Sequence, residues 1–287
     1  HARLKTLVSH PSFRFHQVDL AELEATQNAL QGWIPNRVLH LAAQAGVRYS
    51  IDHPHVYAKA NLVGFLNILE ICRHWKVEHL TYASSSSVYG LNTKLPFSET
   101  DAVEHPISLY AATKRSNELM AYTYSHLYQL PTTGLRYFTV FGPWGRPDMA
   151  PFKFVKAITQ GETIDVYNHG QQMRDFTYID DIVESTIRCL QKAPTPSNTM
   201  PVPHRIFNVG NSSPVQLGDF IQTIETAVGQ AAHKNMMAAQ PGDVSATYAD
   251  TRALQEWIGF VPDTPLNQGM DKFVSWYKHY YKTAAAH

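Results

Sequence analysis

Two cysteines in 287 residues are too few for a disulfide framework, and both Cys72 and Cys189 lie in apolar, helix-like patterns. A reducing cytoplasm is therefore the expected location. No apolar run approaches the ~18 residues a membrane-spanning helix needs. The opening residues, HARLKTLVSH, do not read as a secretory signal. Charge of one sign is also lacking: Lys+Arg and Asp+Glu are both 24, so no broad field attracts nucleic acid or an anionic membrane. Histidines number fifteen but are scattered, and the closest repeat, His53-Pro-His55, has no cysteine or carboxylate beside it, so no metal is expected. With 44% apolar and 17% charged residues, the composition is that of a soluble globular protein.

Strand-length apolar runs alternate with longer amphipathic segments. FRFHQV (13–18), RVLHLA (37–42), HLTYAS (79–84) and TTGLRYFTV (132–140) read as strands. A short helix follows Asp19, and long helices are expected over 53–75 and 107–128. This alternation predicts an α/β fold, a doubly wound parallel sheet of Rossmann type. After Gly142 a Gly/Pro loop, GPWGRPD (142–148), introduces shorter elements. Helices are expected near 151–159, from Asp180, and near 217–228, 251–258 and 266–281, with strands near 163–167 and at RIFNVG. The predicted division is 1–142 for a dinucleotide-binding domain and 143–287 for a smaller α/β substrate domain that sends segments back to the first sheet.

Within SLYAATKRSNE (108–118), Tyr110 precedes Lys114 by one helical turn, so both lie on one face. A free tyrosine has a pKa of about 10 and is a poor base at neutral pH. An adjacent ammonium favours the phenolate and makes a proton acceptor of it. Taken alone, the pair reads first as a surface contact on a helix. YASSSSVYG (82–90) places hydroxyls where a strand ends, at the sheet edge where open α/β sheets bind ligands. Strand, small-residue turn, helix, strand, serine run, then Tyr and Lys form one ordered set on one side of one sheet.

HLAAQAGVRYS, NLVGFLNILE, YASSSSVYG, SLYAATK, GLRYFTVFGPWGRPDM, RDFTYIDDI, FNVGNSSP and QPGD occur in this order along essentially the whole chain. The set resembles the extended short-chain dehydrogenase/reductase family, the nucleotide-sugar epimerases and dehydratases. Within the family it is most similar to members that interconvert UDP-glucuronate and UDP-galacturonate with bound NAD. The resemblance implies Tyr110 as catalytic acid/base, Lys114 on the nicotinamide ribose and Ser85 on the reacting hydroxyl. It implies adenine contacts at Asp19 and Leu20, a cofactor-facing turn at Leu41, Ala42 and Ala43, a further contact at Asn61, and Phe138 near the nicotinamide. The UDP-sugar side would be Ser85, Ser86, Ser87, Thr139, Arg146, Arg174 and Asp243, with Arg174 on the phosphates and Arg146 and Thr139 on the sugar carboxylate. Gln240 stands where galactose epimerases carry arginine. Ser86 and Ser87 replace the Asp-Glu pair of the dehydratases, and neutral hydroxyls there suit simple 4-epimerisation. UDP-galactose or UDP-N-acetylglucosamine remains open as substrate. Relatives commonly dimerise through the two long helices, so a homodimer is implied.

Family members also carry a strand, a glycine-rich turn and a helix whose N–H groups hold the cofactor pyrophosphate. No GxxGxxG occurs here. FRFHQV resembles the family's third strand, so roughly 40 residues, a βαβ unit with its flanks, are expected to be missing from the sequence as given. In the order 3-2-1-4-5-6, their loss is expected to open a gap of roughly 10 Å between the third and fourth strands. Omission of a segment from the sequence, a clipped product and a true truncation are open explanations, separable by intact mass. A nucleotide-sugar-binding relative without productive NAD is the reading from another class.

Overall fold

The computed structural model describes residues 2–239 and 246–284. Helices α1 (Ala2–Lys5) and α2 (Leu23–Ala29) precede strand β1 (Arg37–His40). Then α3 (Tyr49–Asp52), α4 (Pro54–Tyr57), a π-helical turn (Ala58–Val63) and α5 (Gly64–His74) lead into β2 (His79–Ser85). A 3-10 turn (Ser86–Tyr89), α6 (Leu109–Tyr128), β3 (Thr132–Tyr137) and β4 (Thr139–Phe141) follow. Beyond the loop come α7 (Ala150–Gln160), β5 (Thr163–Val166), β6 (Met173–Tyr178), α8 (Ile179–Gln191) and β7 (His204–Val209). The chain continues through β8 (Pro214–Gln216), α9 (Leu217–Val228), β9 (His233–Met236), α10 (Arg252–Ile258) and α11 (Leu266–Ala284).

The first sheet is wholly parallel, in the order β1-β2-β3-β7. Its inner strands are buried almost without interruption, because helices cover both faces. On one face, Phe65, Ile68, Leu69 and Cys72 of α5 pack with Ala121 of α6 against Leu80 and Tyr82. On the other, Ile182 and Cys189 of α8 and Leu254 of α10 cover Leu135, Phe207 and Val209. A second sheet, β4-β6-β8, and the pair β5-β9 enclose a separate aromatic core with α7, α9 and α11.

Local chemistry sets the element ends. The Ser108 hydroxyl accepts the Ala111 N–H at 3.1 Å and starts α6; Gln129, at φ 54°, ends it before Pro131. Gly90 closes the serine turn at φ 50°, where a Cβ would sit 2.0 Å from the His105 carbonyl oxygen.

Three sequence expectations are corrected. FRFHQV forms no strand: it pairs with none of the described strands, so its backbone joins no ladder, and Phe15 is 51% exposed. TTGLRYFTV is two strands, broken at Phe138, where the chain leaves the first sheet for the second. The helix over 53–75 is two α-helices joined by the π-helical turn. No described helix is long and apolar enough to cross a membrane. Gln240 and Asp243 lie outside the described residues.

Candidate active site

At the carboxyl ends of β1, β2 and β3, a cavity of about 590 Å³ opens between the two sheets. β2 ends at Ser85, whose extended backbone lets its hydroxyl accept the Ser87 N–H at 3.2 Å and donate to the Ser87 hydroxyl at 3.2 Å. That bond turns the chain and presents Ser85, Ser86 and Ser87 to the cavity. The first turn of α6 brings Tyr110 to the same wall, near enough to Ser85 for the serine hydroxyl to favour its phenolate. Lys114, one turn further, is 3% exposed and donates to the Ala83 carbonyl at 2.8 Å.

Burial dominates the electrostatics. It lowers the Lys114 pKa to about 8 and raises that of Tyr110. Against burial, the Ser85 hydroxyl and the Arg146 charge pull Tyr110 down. Arg146 of the GPWGRPD loop thus adds to the pull on the phenol, while the Lys114 ammonium donates to β2. Arg146 itself forks onto Asp148, Nε to Oδ1 at 3.1 Å and Nη2 to Oδ2 at 2.5 Å.

The predicted residues fall into three groups. Leu41, Ala43, Ser85, Ser86, Ser87, Tyr110, Lys114, Phe138, Thr139 and Arg146 line the one cavity. Asn61 lies behind the wall, buried in the π-helical turn. It accepts the Gln44 N–H at 2.8 Å and donates to the Gln44 carbonyl and to Thr113, both at 3.0 Å, so it staples the turn after β1. The remaining residues stand apart from this lining. Asp19 is exposed and pairs with Lys59 at 3.0 Å, the Leu20 carbonyl accepts from Asn67 at 2.9 Å, and Ala42 is exposed. Arg174 sits on β6 with its guanidinium at the Met173 carbonyl, 2.8 Å.

Sequence reasoning missed Tyr57, Gly46 and Trp144. Tyr57 bridges the Ala45 and Gly46 carbonyls at 3.1 and 2.6 Å and sets its ring edge-on to Tyr110 at 6.2 Å. Only its place on the helix expected over 53–75 gave any signal.

The residues present fit the nicotinamide–ribose half of a dinucleotide. The turn after β1 carries small side chains at Ala43, Ala45 and Gly46, which leave room for a flat ring, and Lys114, Ser85 and Tyr110 line the same cavity. A parallel sheet wound by helices, with a serine cluster and a Tyr–Lys pair at its carboxyl edge, defines a Rossmann-type protein of the short-chain dehydrogenase class.

The NAD dependent epimerase/dehydratase family matches residues 1–210, and the chain belongs to that family. It is 48% identical over 261 residues to the probable UDP-glucuronate 4-epimerase of Rhizobium meliloti (strain 1021), covering 87% of this chain and 76% of the relative. It resembles the solved UDP-glucuronic acid 4-epimerase of Bacillus cereus in complex with UDP-glucuronic acid and NAD. There the TM-score is 0.85 and the identity 29%, over 98% of this chain and 86% of the other. The UDP-glucose 4-epimerase of Thermotoga maritima with UDP-glucose matches at TM-score 0.85 and 27% identity, over 93% and 85%. One backbone therefore serves relatives of an acidic and of a neutral sugar, and side chains must make the distinction.

Proposed function

We propose that the chain is a UDP-glucuronate 4-epimerase that forms UDP-galacturonate with NAD. The observation that carries this reading is the convergence of Ser85, Tyr110, Lys114 and Arg146 on one cavity, with only neutral hydroxyls at Ser86 and Ser87. When bound, NAD supplies reversible hydride chemistry at C4 of the sugar. Tyr110 takes the proton from the sugar 4-hydroxyl and returns it, and Ser85 holds that hydroxyl in line. Lys114 binds the nicotinamide ribose. Phe138 would lie near the nicotinamide, Leu41, Ala42 and Ala43 would form the turn that passes the cofactor, Asp19 and Leu20 would meet the adenine, and Asn61 would add a further contact. Arg174 and Asp243 bind the UDP part, so residues 1–142 serve mainly the dinucleotide and 143–287 mainly the sugar nucleotide.

Arg146 and Thr139 carry the choice of an acidic sugar. A ketone at C4 lies β to the C5 carboxylate, and such acids lose CO₂ when the breaking bond overlaps the carbonyl π-system. A guanidinium fork and a hydroxyl hold the carboxylate out of that alignment. One observation favours the neutral-sugar reading instead: Asp148 already occupies the Arg146 fork, so an incoming carboxylate must compete with it. Turnover of UDP-glucuronate against UDP-galactose and UDP-N-acetylglucosamine, with NAD supplied, decides. The expected preference for the uronate is about 10²-fold or more, in line with a site built around a specific polar group. Equal or better use of the neutral sugars sinks the assignment.

The same reading makes the protein a cytoplasmic homodimer. Leu66, Leu119, Tyr122 and Leu127, on α5 and α6, are 40%, 54%, 49% and 60% exposed, an apolar surface suited to a second copy.

A further inference from the structure

Behind the cavity wall lies a charged pair that the chemistry does not use. Glu118 and Arg136 are each 1% exposed. Glu118 is on α6, one turn beyond Lys114 and two beyond Tyr110. Its Oε1 accepts from the Ser84 hydroxyl at 2.7 Å and from Arg136 Nε at 2.8 Å; its Oε2 accepts from Arg136 Nη2 at 2.9 Å and Arg115 Nη1 at 3.0 Å. Arg136 Nη1 also donates to the Tyr89 hydroxyl at 3.0 Å, and Tyr89 donates to Asn208 Oδ1 at 2.6 Å.

Each tie ends beside a group of the candidate site. Ser84 stands between Ala83, the acceptor of Lys114, and Ser85. Arg136 lies two residues before Phe138 and three before Thr139. Tyr89 closes the turn that holds Ser86 and Ser87. One carboxylate thus joins α6, β2 and β3, and through Tyr89 the serine turn.

We infer that Glu118, with Arg136 as its counter-ion, is the positioning residue of this site. It sets the register of α6 against β2 and β3, and so the distance from Tyr110 and Lys114 to Ser85. The inference rests on the reading of those three as the reacting groups. The physical argument is one of direction. Apolar contact between helix and sheet is non-directional and tolerates sliding. A two-pronged guanidinium–carboxylate bond does not, because both oxygens and both nitrogens must stay coplanar and in reach. Burying two charges is costly, and an apolar pair of similar volume commonly serves stability as well or better. Stability alone therefore does not call for this pair, whereas a reaction sensitive to displacements of about 1 Å does.

The test is the double variant Glu118→Leu with Arg136→Met in the full chain, with NAD supplied. A thermal midpoint close to that of the parent shows that the fold survives. The expected result is then a kcat lower by about 10²-fold with KM changed little, the mark of a misplaced reacting group. Independently of turnover, the Tyr110 phenol, read by tyrosine absorbance against a Tyr110→Phe reference, titrates at higher pH as Ser85 moves away from it and its stabilisation of the phenolate weakens. A double variant with kcat within threefold of the parent and an unmoved Tyr110 titration overturns the inference. If the double variant fails to fold, Glu118→Gln decides: it keeps the shape and one acceptor, and about a tenfold loss in kcat at constant KM is expected. Parental kcat in that variant overturns the inference equally. Should the parent turn over no UDP-sugar, the proposed function fails, and the Tyr110 titration alone still tests the positioning role.

Discussion

Lys114 carries its charge at a cost. Its pKa falls from 10.5 to about 8 because burial disfavours the ammonium, which donates to the Ala83 carbonyl. Below pH 8 it is protonated in both folded and unfolded chains, so the penalty is fully present. It is relieved as pH rises from about 8 to 10.5, where the unfolded chain holds the proton and the folded chain has lost it. The shift corresponds to on the order of 3 kcal/mol, less about 1–2 kcal/mol for the Ala83 carbonyl left without its donor in a variant. Lys114→Met is therefore expected to raise Tm at pH 7 by a few degrees while activity is lost, a trade typical of functional sites. A Tm below that of the parent at pH 7 contradicts this account; calorimetry at pH 7 and pH 9.5 checks its sign, since the gain shrinks at the higher pH.

Two elements set properties that single residues do not. The loop after β4 bears Trp144 in the left-handed region, φ 61°, an uncommon conformation for a bulky residue. It is held there by α11, with ring centroids 5.3 Å from Trp276 and 5.0 Å from Tyr280. Arg146 rides on this loop, so α11 fixes the proposed carboxylate site from outside. Trp276→Leu is expected to raise KM for UDP-glucuronate by about tenfold, through loss of on the order of 1 kcal/mol of aromatic contact and loop order, and to leave KM for a neutral UDP-sugar unchanged. An equal rise for both sugars places the effect elsewhere. For α5 and α6, Leu119→Glu is expected to convert a dimer into a monomer, since a charge at a self-complementary apolar surface is buried twice. Sedimentation equilibrium of the variant beside the parent reads this directly, and a parent that sediments as a monomer removes the proposal.

Across the whole molecule, neutral buried histidines set the acid limit. His40, in β1 facing Lys114, and His204, in β7 hydrogen-bonded to Thr132 at 2.7 Å, both have a pKa lowered by burial from 6.5 to about 4. A lowered folded value means that stability is present above the unfolded value and is lost as pH falls from about 6.5 to about 4. Each histidine accounts for up to about 3 kcal/mol, so the pair represents a large share of an ordinary folding free energy. The urea midpoint is expected to drop steeply between pH 6.5 and pH 4.5, and His40→Leu is expected to flatten that slope. A midpoint independent of pH over this range refutes the assignment.

The sequence by itself determined the parallel α/β class, because alternating strand and helix periods leave few other packings. It also determined which polar residues gather, since Ser85, Tyr110, Lys114 and Thr139 all follow strand ends or begin the next helix, and strand ends of one parallel sheet share an edge. Tertiary structure decided what periodicity cannot carry. FRFHQV has the local pattern of a strand, but a strand exists only where another backbone completes its bonds. Asn61 enters the sequence reading only as a cofactor contact implied by resemblance; its three side-chain bonds, to Gln44 and Thr113, which staple the turn after β1, come from packing of remote segments. The tyrosine–lysine spacing was legible in the helix, whereas the bond of Lys114 to Ala83, the placing of Arg146 on the same cavity as Tyr110 and the Glu118–Arg136 tie behind them depend on which strands lie side by side. Short-range patterns record local preference; charges and hydrogen bonds between remote segments take their values only once packing has removed the water between them.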